Sequence, residues 1–132
     1  MSAALVVDSS ALVALLADAG KTGDWVAATI GDHELAAPEL AMFEAANVIR
    51  RQQQSAALDS EQAALAHQGL LSLPVQLWPY LPLAGRAWEL RESLTMYDAS
   101  YVALAERLDT GLVTLDARLA RAHGPRCPIR TP

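Results

Sequence analysis

Two short apolar runs in this chain each end on an aspartate, and that placement restricts the fold more than any other feature. Leu5-Val6-Val7 runs into Asp8, and Leu112-Val113-Thr114-Leu115 runs into Asp116. Short continuous apolar runs without polar alternation suit strands buried on both faces, as in a parallel sheet. Parallel strands need crossover connections, usually helical, and the segments between these runs read as helices. A charge directly after such a strand lies at its carboxyl end, the edge where open parallel sheets bind ligands.

The rest of the chain keeps the alternation. The pattern predicts helices over Ser9 to Ala17 and roughly Gly23 to Ile30, then a short strand over His33 to Ala37. Pro38 suits the first turn of the next helix, about Glu39 to Gln53. Asp59 and Ser60 are good N-caps for a helix reaching Leu73, which Pro74 stops. A third strand covers Val75 to Trp78, a helix about Leu83 to Glu92, and another Thr95 to Leu108. After the strand at Leu112 to Leu115, a short helix ends at His123-Gly124, and Cys127 to Arg130 reads as an edge strand beside prolines. With no repeat, linker or low-complexity tract, residues 1–132 are expected to form one α/β domain around a single core.

Composition narrows the function classes. The net charge is −5, and the ten basic residues are all arginine except Lys21, so there is no general electrostatic footprint for nucleic acid. The one cysteine, Cys127, excludes an internal disulfide and a cysteine-based zinc site. No basic segment precedes the first apolar run, and the apolar stretches are too short to span a bilayer. The expectation is a soluble, cytoplasmic protein without membrane attachment.

Four carboxylates carry the candidate chemistry: Asp8, Glu44, Asp98 and Asp116. Asp8 and Asp116 each also suit the N-cap of the helix that follows, and Asp98 stands three residues after Thr95 in a near capping-box spacing. Glu44 has no such alternative. It is the only charge in Leu40-Ala41-Met42-Phe43-Glu44-Ala45-Ala46-Asn47-Val48-Ile49, a helix apolar almost all round and so expected to be buried. A buried carboxylate costs several kcal/mol unless compensated, and neighbouring carboxylates persist together only with a cation or raised pKa values. An all-oxygen donor set of this kind asks for Mg2+, or Mn2+ in its place.

The same residues carry a resemblance. Val6-Val7-Asp8-Ser9-Ser10-Ala11-Leu12 resembles the opening of PIN-domain nucleases. Pro38-Glu39-Leu40 through Glu44-Ala45-Ala46-Asn47-Val48 is similar to their second motif. Tyr97-Asp98-Ala99-Ser100-Tyr101-Val102-Ala103-Leu104-Ala105 is similar to the third, and Leu112-Val113-Thr114-Leu115-Asp116 to the fourth. The closest subgroup is the VapC-type toxins of bacterial toxin–antitoxin pairs. The resemblance implies a five-stranded parallel sheet in the order 3-2-1-4-5 with about seven helices, a homodimer, and an antitoxin that inserts a C-terminal segment into the acidic groove. It makes Asp8, Glu44, Asp98 and Asp116 the metal-binding acids, with Ser10, Asn47 and Thr114 as polar supports.

The function this implies is a Mg2+-dependent endoribonuclease, the toxin of such a pair, hydrolysing RNA with metal-activated water. Arg118 and Arg121 follow the fourth acid closely and are candidate RNA phosphate contacts, although solvated helix faces explain them equally well. The alternative is a non-catalytic PIN-like module that binds RNA or a protein partner. A haloacid-dehalogenase-type phosphotransferase would need a second Asp where Ser10 stands, and a receiver domain an Asp after the third strand; neither is present.

Overall fold

A computed structural model describes residues 4–132. Five parallel strands, β1 (Leu5–Val7), β2 (Leu35–Pro38), β3 (Val75–Trp78), β4 (Leu112–Val113) and β5 (Ile129–Arg130), form one sheet in the order β3-β2-β1-β4-β5. Seven helices connect them: α1 (Ser9–Ala17), α2 (Lys21–Ile30), α3 (Leu40–Gln54), α4 (Ser60–Ser72), α5 (Ala84–Glu89), α6 (Met96–Arg107) and α7 (Ala117–Ala120), with a 3-10 turn at Leu81–Leu83. The expected strand order and class are met. Leu5, Val6, Val7, Leu112 and Val113 are all buried, the two-sided burial that their unalternating pattern demanded.

Boundaries follow from caps. The Asp8 side chain accepts from the Ala11 amide at the start of α1, and Asp59 with Gln62 forms a reciprocal capping box at the start of α4. Thr95 caps α6, and Asp116 caps α7. Pro38 departs from expectation: it closes β2 opposite Trp78 instead of opening α3, and the Glu39 amide next to it donates to the Trp78 carbonyl at 2.8 Å. On its other side the ladder to β1 ends at the Val6–Ala36 pair, so the missing proline N–H forfeits no sheet bond. The segment expected as one helix over Leu83 to Glu92 is a 3-10 turn followed by the shorter α5, and the fourth strand stops at Val113.

The core is divided around the sheet. α6 lies across β1, β2 and β4, while α1 packs on α2, α3 and α4. A second cluster of Val13, Ala45, Ile49, Leu58, Ala63, Ala66 and Leu70 seals that helical layer. The expectation that α3 is buried all round is wrong. Only the stripe Ala41, Ala45 and Ile49 is buried, and Phe43 is 81% exposed. Apolar composition on every side of a helix shows what could be buried, whereas the number of packed neighbours decides what is.

The C-terminal strand is tied in by charge. Arg86 donates to both oxygens of Glu106, at 2.7 and 3.2 Å, and to the Gly124 carbonyl at 2.8 Å. Glu106 also accepts from the Arg126 amide at 2.7 Å. α5, α6 and the segment entering β5 thus share one network. No helix among the described residues is long and apolar enough to cross a membrane.

Candidate active site

The sheet order puts a switch point between β1 and β4, because the crossovers leave β1 toward β2 on one side and return through β4 on the other. Crevices at such points, outside the carboxyl ends of the strands, are where α/β sheets bind ligands. Asp8 leaves β1 there and Asp116 leaves the segment after β4. Glu44 projects from α3 and Asp98 from the first turn of α6. The four acids lie close enough to act on one another: Asp98 and Asp116 repel, as do Asp8 and Asp116, and Glu44 feels both Asp8 and Asp98. Capping and clustering proved not to be alternatives, since Asp8 and Asp116 do both.

Asp8 is the most enclosed of the four, at 8% exposure. Its Oδ1 accepts from the Ser10 hydroxyl at 2.6 Å and the Ala11 amide at 3.1 Å, and its Oδ2 from the Thr114 hydroxyl at 2.5 Å. Those two hydroxyls also accept: Ser10 Oγ from the Leu115 amide at 3.1 Å, and Thr114 Oγ1 from the Asp116 amide at 3.0 Å. The turn after β1 and the turn after β4 are therefore stitched together through Asp8. Ser10 and Thr114 sit beside the acids, as the sequence suggested. Asn47 does not join them; its side-chain oxygen accepts from Arg50 Nε at 2.9 Å on an exposed face.

Electrostatics separates the four. Burial raises the Asp8 carboxyl above the usual range, and its three hydrogen bonds and the nearby Asp116 only adjust that rise. Burial, then repulsion from Asp116 and Asp8, raises Asp98. Glu44 is half-buried and also raised, by desolvation first, with a Tyr101 hydrogen bond working against it and Asp98 and Asp8 adding to it. Asp116 goes the other way. The Arg118 guanidinium reaches both its oxygens, at 3.2 and 3.1 Å, and holds it below the usual carboxylate range. Arg118 is thus committed to an acid rather than held out for a phosphate. The pair is open to water, with side chains 86% and 32% exposed, so little energy holds it. Arg121 is exposed.

These groups fit a hard divalent cation. The donors are all carboxylate and hydroxyl oxygens, and three of the four acids bear negative charge at an unfavourable free energy that a cation would relieve. Among the described residues no three acidic, histidine or cysteine side chains already stand in cage geometry. A cleft of about 240 Å³ lined by Thr95, Asp98, Asp116 and Arg118 opens beside the acids. The largest cavity described, about 790 Å³, lies at the amino ends of β1, β2 and β3, around Leu35 and Val75, on the edge of the sheet away from this chemistry.

Two residues at the site were not singled out for it from sequence. The Tyr101 hydroxyl donates to Glu44 Oε1 at 2.7 Å, and the Ser9 side chain touches the same pair. The available signal was that a buried tyrosine needs a partner for its hydroxyl, one turn along α6 from Asp98.

An α/β sheet of this order with acids gathered at its carboxyl edge is the architecture of a PIN domain, and the chain belongs to the PIN domain family, whose model matches residues 5–125. It is 40% identical to the VapC ribonuclease Mb0985 of Mycobacterium bovis over 125 residues, 95% of each chain. Among solved structures it resembles PAE2754 from Pyrobaculum aerophilum, with a TM-score of 0.71 and 28% identity over 96% of this chain and 82% of that one. VapBC2 from Rickettsia felis, bound to a DNA fragment from its promoter, shares the fold with a TM-score of 0.69 at 12% identity, over 96% of this chain and 97% of that one. Dependence on divalent metal is general among PIN-domain ribonucleases.

Proposed function

We propose that this chain is a Mg2+-dependent endoribonuclease acting as the toxin of a toxin–antitoxin pair in the cytoplasm, with residues 1–132 as one nuclease domain. The observation that carries the reading is the convergence of Asp8, Glu44, Asp98 and Asp116 on one sheet edge, three of them with raised pKa values. Kinship with VapC ribonucleases supports RNA as the substrate, and likeness to a VapBC assembly supports an antitoxin as the partner.

Asp8 and Asp98 would hold the cation, with Asp116 joining from across the cleft once it lets go of Arg118. A bound Mg2+ supplies Lewis acidity toward the phosphodiester and its attacking water. Ser10 and Thr114 keep the Asp8 carboxylate in one orientation, and Glu44 offers an oxygen that could orient the nucleophile. Arg118, released from Asp116, is free to meet a phosphate, and Arg121 stands further along the same surface. We also propose a homodimer, for which the exposed Phe43, Tyr80 and Leu81 supply apolar surface.

The test is cleavage of total cellular RNA by the purified, antitoxin-free chain in Mg2+ and in EDTA, beside Asp8→Ala, with the new 5′ ends sequenced. Discrete cuts that need Mg2+ and vanish in Asp8→Ala are expected. Equal cutting by both proteins, or none by either, defeats the proposal.

A further inference from the structure

The acid groove leaves one buried contact without a role. Tyr101 is only 2% exposed and packs in the main core, yet its hydroxyl reaches out of that core to Glu44 Oε1 at 2.7 Å. The bond joins α6 to α3 across 57 residues of sequence. A buried phenol must donate somewhere, and a backbone carbonyl would satisfy it; here the acceptor is one of the four acids. Asp98 lies three positions earlier on α6, so both side chains share the helix face turned toward the groove.

We propose that Tyr101 is a positioning residue for Glu44, its hydroxyl pinning one carboxylate oxygen and so fixing the direction in which the carboxylate faces the groove. A half-exposed glutamate is otherwise free to swing into solvent, and locking it before a ligand arrives removes that entropy cost. Ser9, directly after Asp8, lies beside the same carboxylate and phenol. The bond engages one lone pair of Oε1 and fixes the plane of the carboxylate. Glu44 therefore meets the cation or its water shell in one orientation, with Oε2 the oxygen left free of Tyr101. This inference rests on the reading of the four acids as a cation site.

The experiment is a double-mutant cycle of Tyr101→Phe and Glu44→Gln, read by calorimetric titration with Mn2+ alone, with thermal melting as the control for folding. Tyr101→Phe keeps the ring in the core and removes only the hydroxyl. It is expected to weaken Mn2+ binding about tenfold when Glu44 is present, and to change nothing further in the Glu44→Gln background. A loss of equal size in both backgrounds, or no loss in either, overturns the proposal. Near-ultraviolet difference spectra need no change at Tyr101 and read the same link. Mn2+ should perturb the buried tyrosine band in the wild-type chain and not in Glu44→Gln; perturbation in both, or in neither, also overturns it. Failure of the wild-type chain to bind Mn2+ at all would instead refute the cation site itself.

Discussion

At the scale of single residues, the site is built from side chains that each do two jobs. Thr114 shows this best: its hydroxyl donates to Asp8 and accepts from the Asp116 amide, so one buried oxygen positions an acid from each of two adjacent strands. Thr114→Val keeps the shape and removes both bonds. The half-buried Asp116 amide left without its acceptor should cost about 1 kcal/mol of stability. Loss of the orienting bond to Asp8 should weaken metal affinity or RNA cutting about 10- to 100-fold. Denaturant titration beside a Mg2+-dependent cleavage assay measures both, and an unchanged cutting rate would remove Thr114 from the site. Asp8 was legible in sequence because it ends a buried apolar run, and Ser10 and Thr114 because they match polar positions of the family's motifs. Tyr101 was not, because its hydroxyl partner lies 57 positions away and no local pattern announces such a contact.

Secondary structure elements meet at closer range than their sequences suggest. α1 is capped at its C-terminus by Asp18, and the start of α2 crosses it so tightly that a Cβ on Gly23 would stand 1.8 Å from the Asp18 carbonyl oxygen and 3.0 Å from that of Ala14. Both obstacles are backbone and cannot swing aside. Gly23→Ala, favourable for an isolated helix by propensity, should therefore destabilise the protein by about 1–3 kcal/mol. The denaturant midpoint would fall with the slope unchanged; a midpoint that rises would show that α2 slides without cost. The sequence reading began α2 at this glycine, whereas the helix starts two residues earlier, at Lys21. α3 shows the same limit from the other side. Its apolar circumference was visible in sequence, yet only tertiary contacts chose the Ala41–Ala45–Ile49 stripe for burial.

For the whole molecule, the acid cluster is a cost to stability. Asp8, Glu44 and Asp98 all have folded-state pKa values above their ordinary ones, with burial as the first cause. Between the ordinary and the raised values the native state holds more protons than the unfolded chain, so stability falls as pH rises through that window. Asp116, held low by Arg118, and Glu106, held low because the Arg86 bonds outweigh its burial, act in reverse: their contributions are present at neutral pH and lost on acidification. The metal-free chain should therefore differ in melting temperature across that window, melting lower above the raised values than at the ordinary carboxylate pKa. Asp98→Asn should shrink that difference. Mg2+ at about a hundred times its Kd should restore about 2.7 kcal/mol to the wild-type chain and much less to Asp98→Asn. Calorimetric melting with and without Mg2+ decides it, and a wild-type midpoint independent of pH and Mg2+ would mean the acids are not coupled in this way.

By itself the sequence determined the class of fold, because continuous apolar runs, caps and crossover lengths are local properties that admit few parallel arrangements. It also determined the chemical character of the site, because a charge at the end of a buried strand has few places to go. Only the tertiary structure decided which acids are matched by protein groups and which are not. Arg118 turns back onto Asp116, Asn47 faces Arg50 instead of the groove, and Tyr101 takes one oxygen of Glu44. Each of those pairings depends on a side-chain direction and a distance in space, and neither quantity is carried by residue type or spacing along the chain.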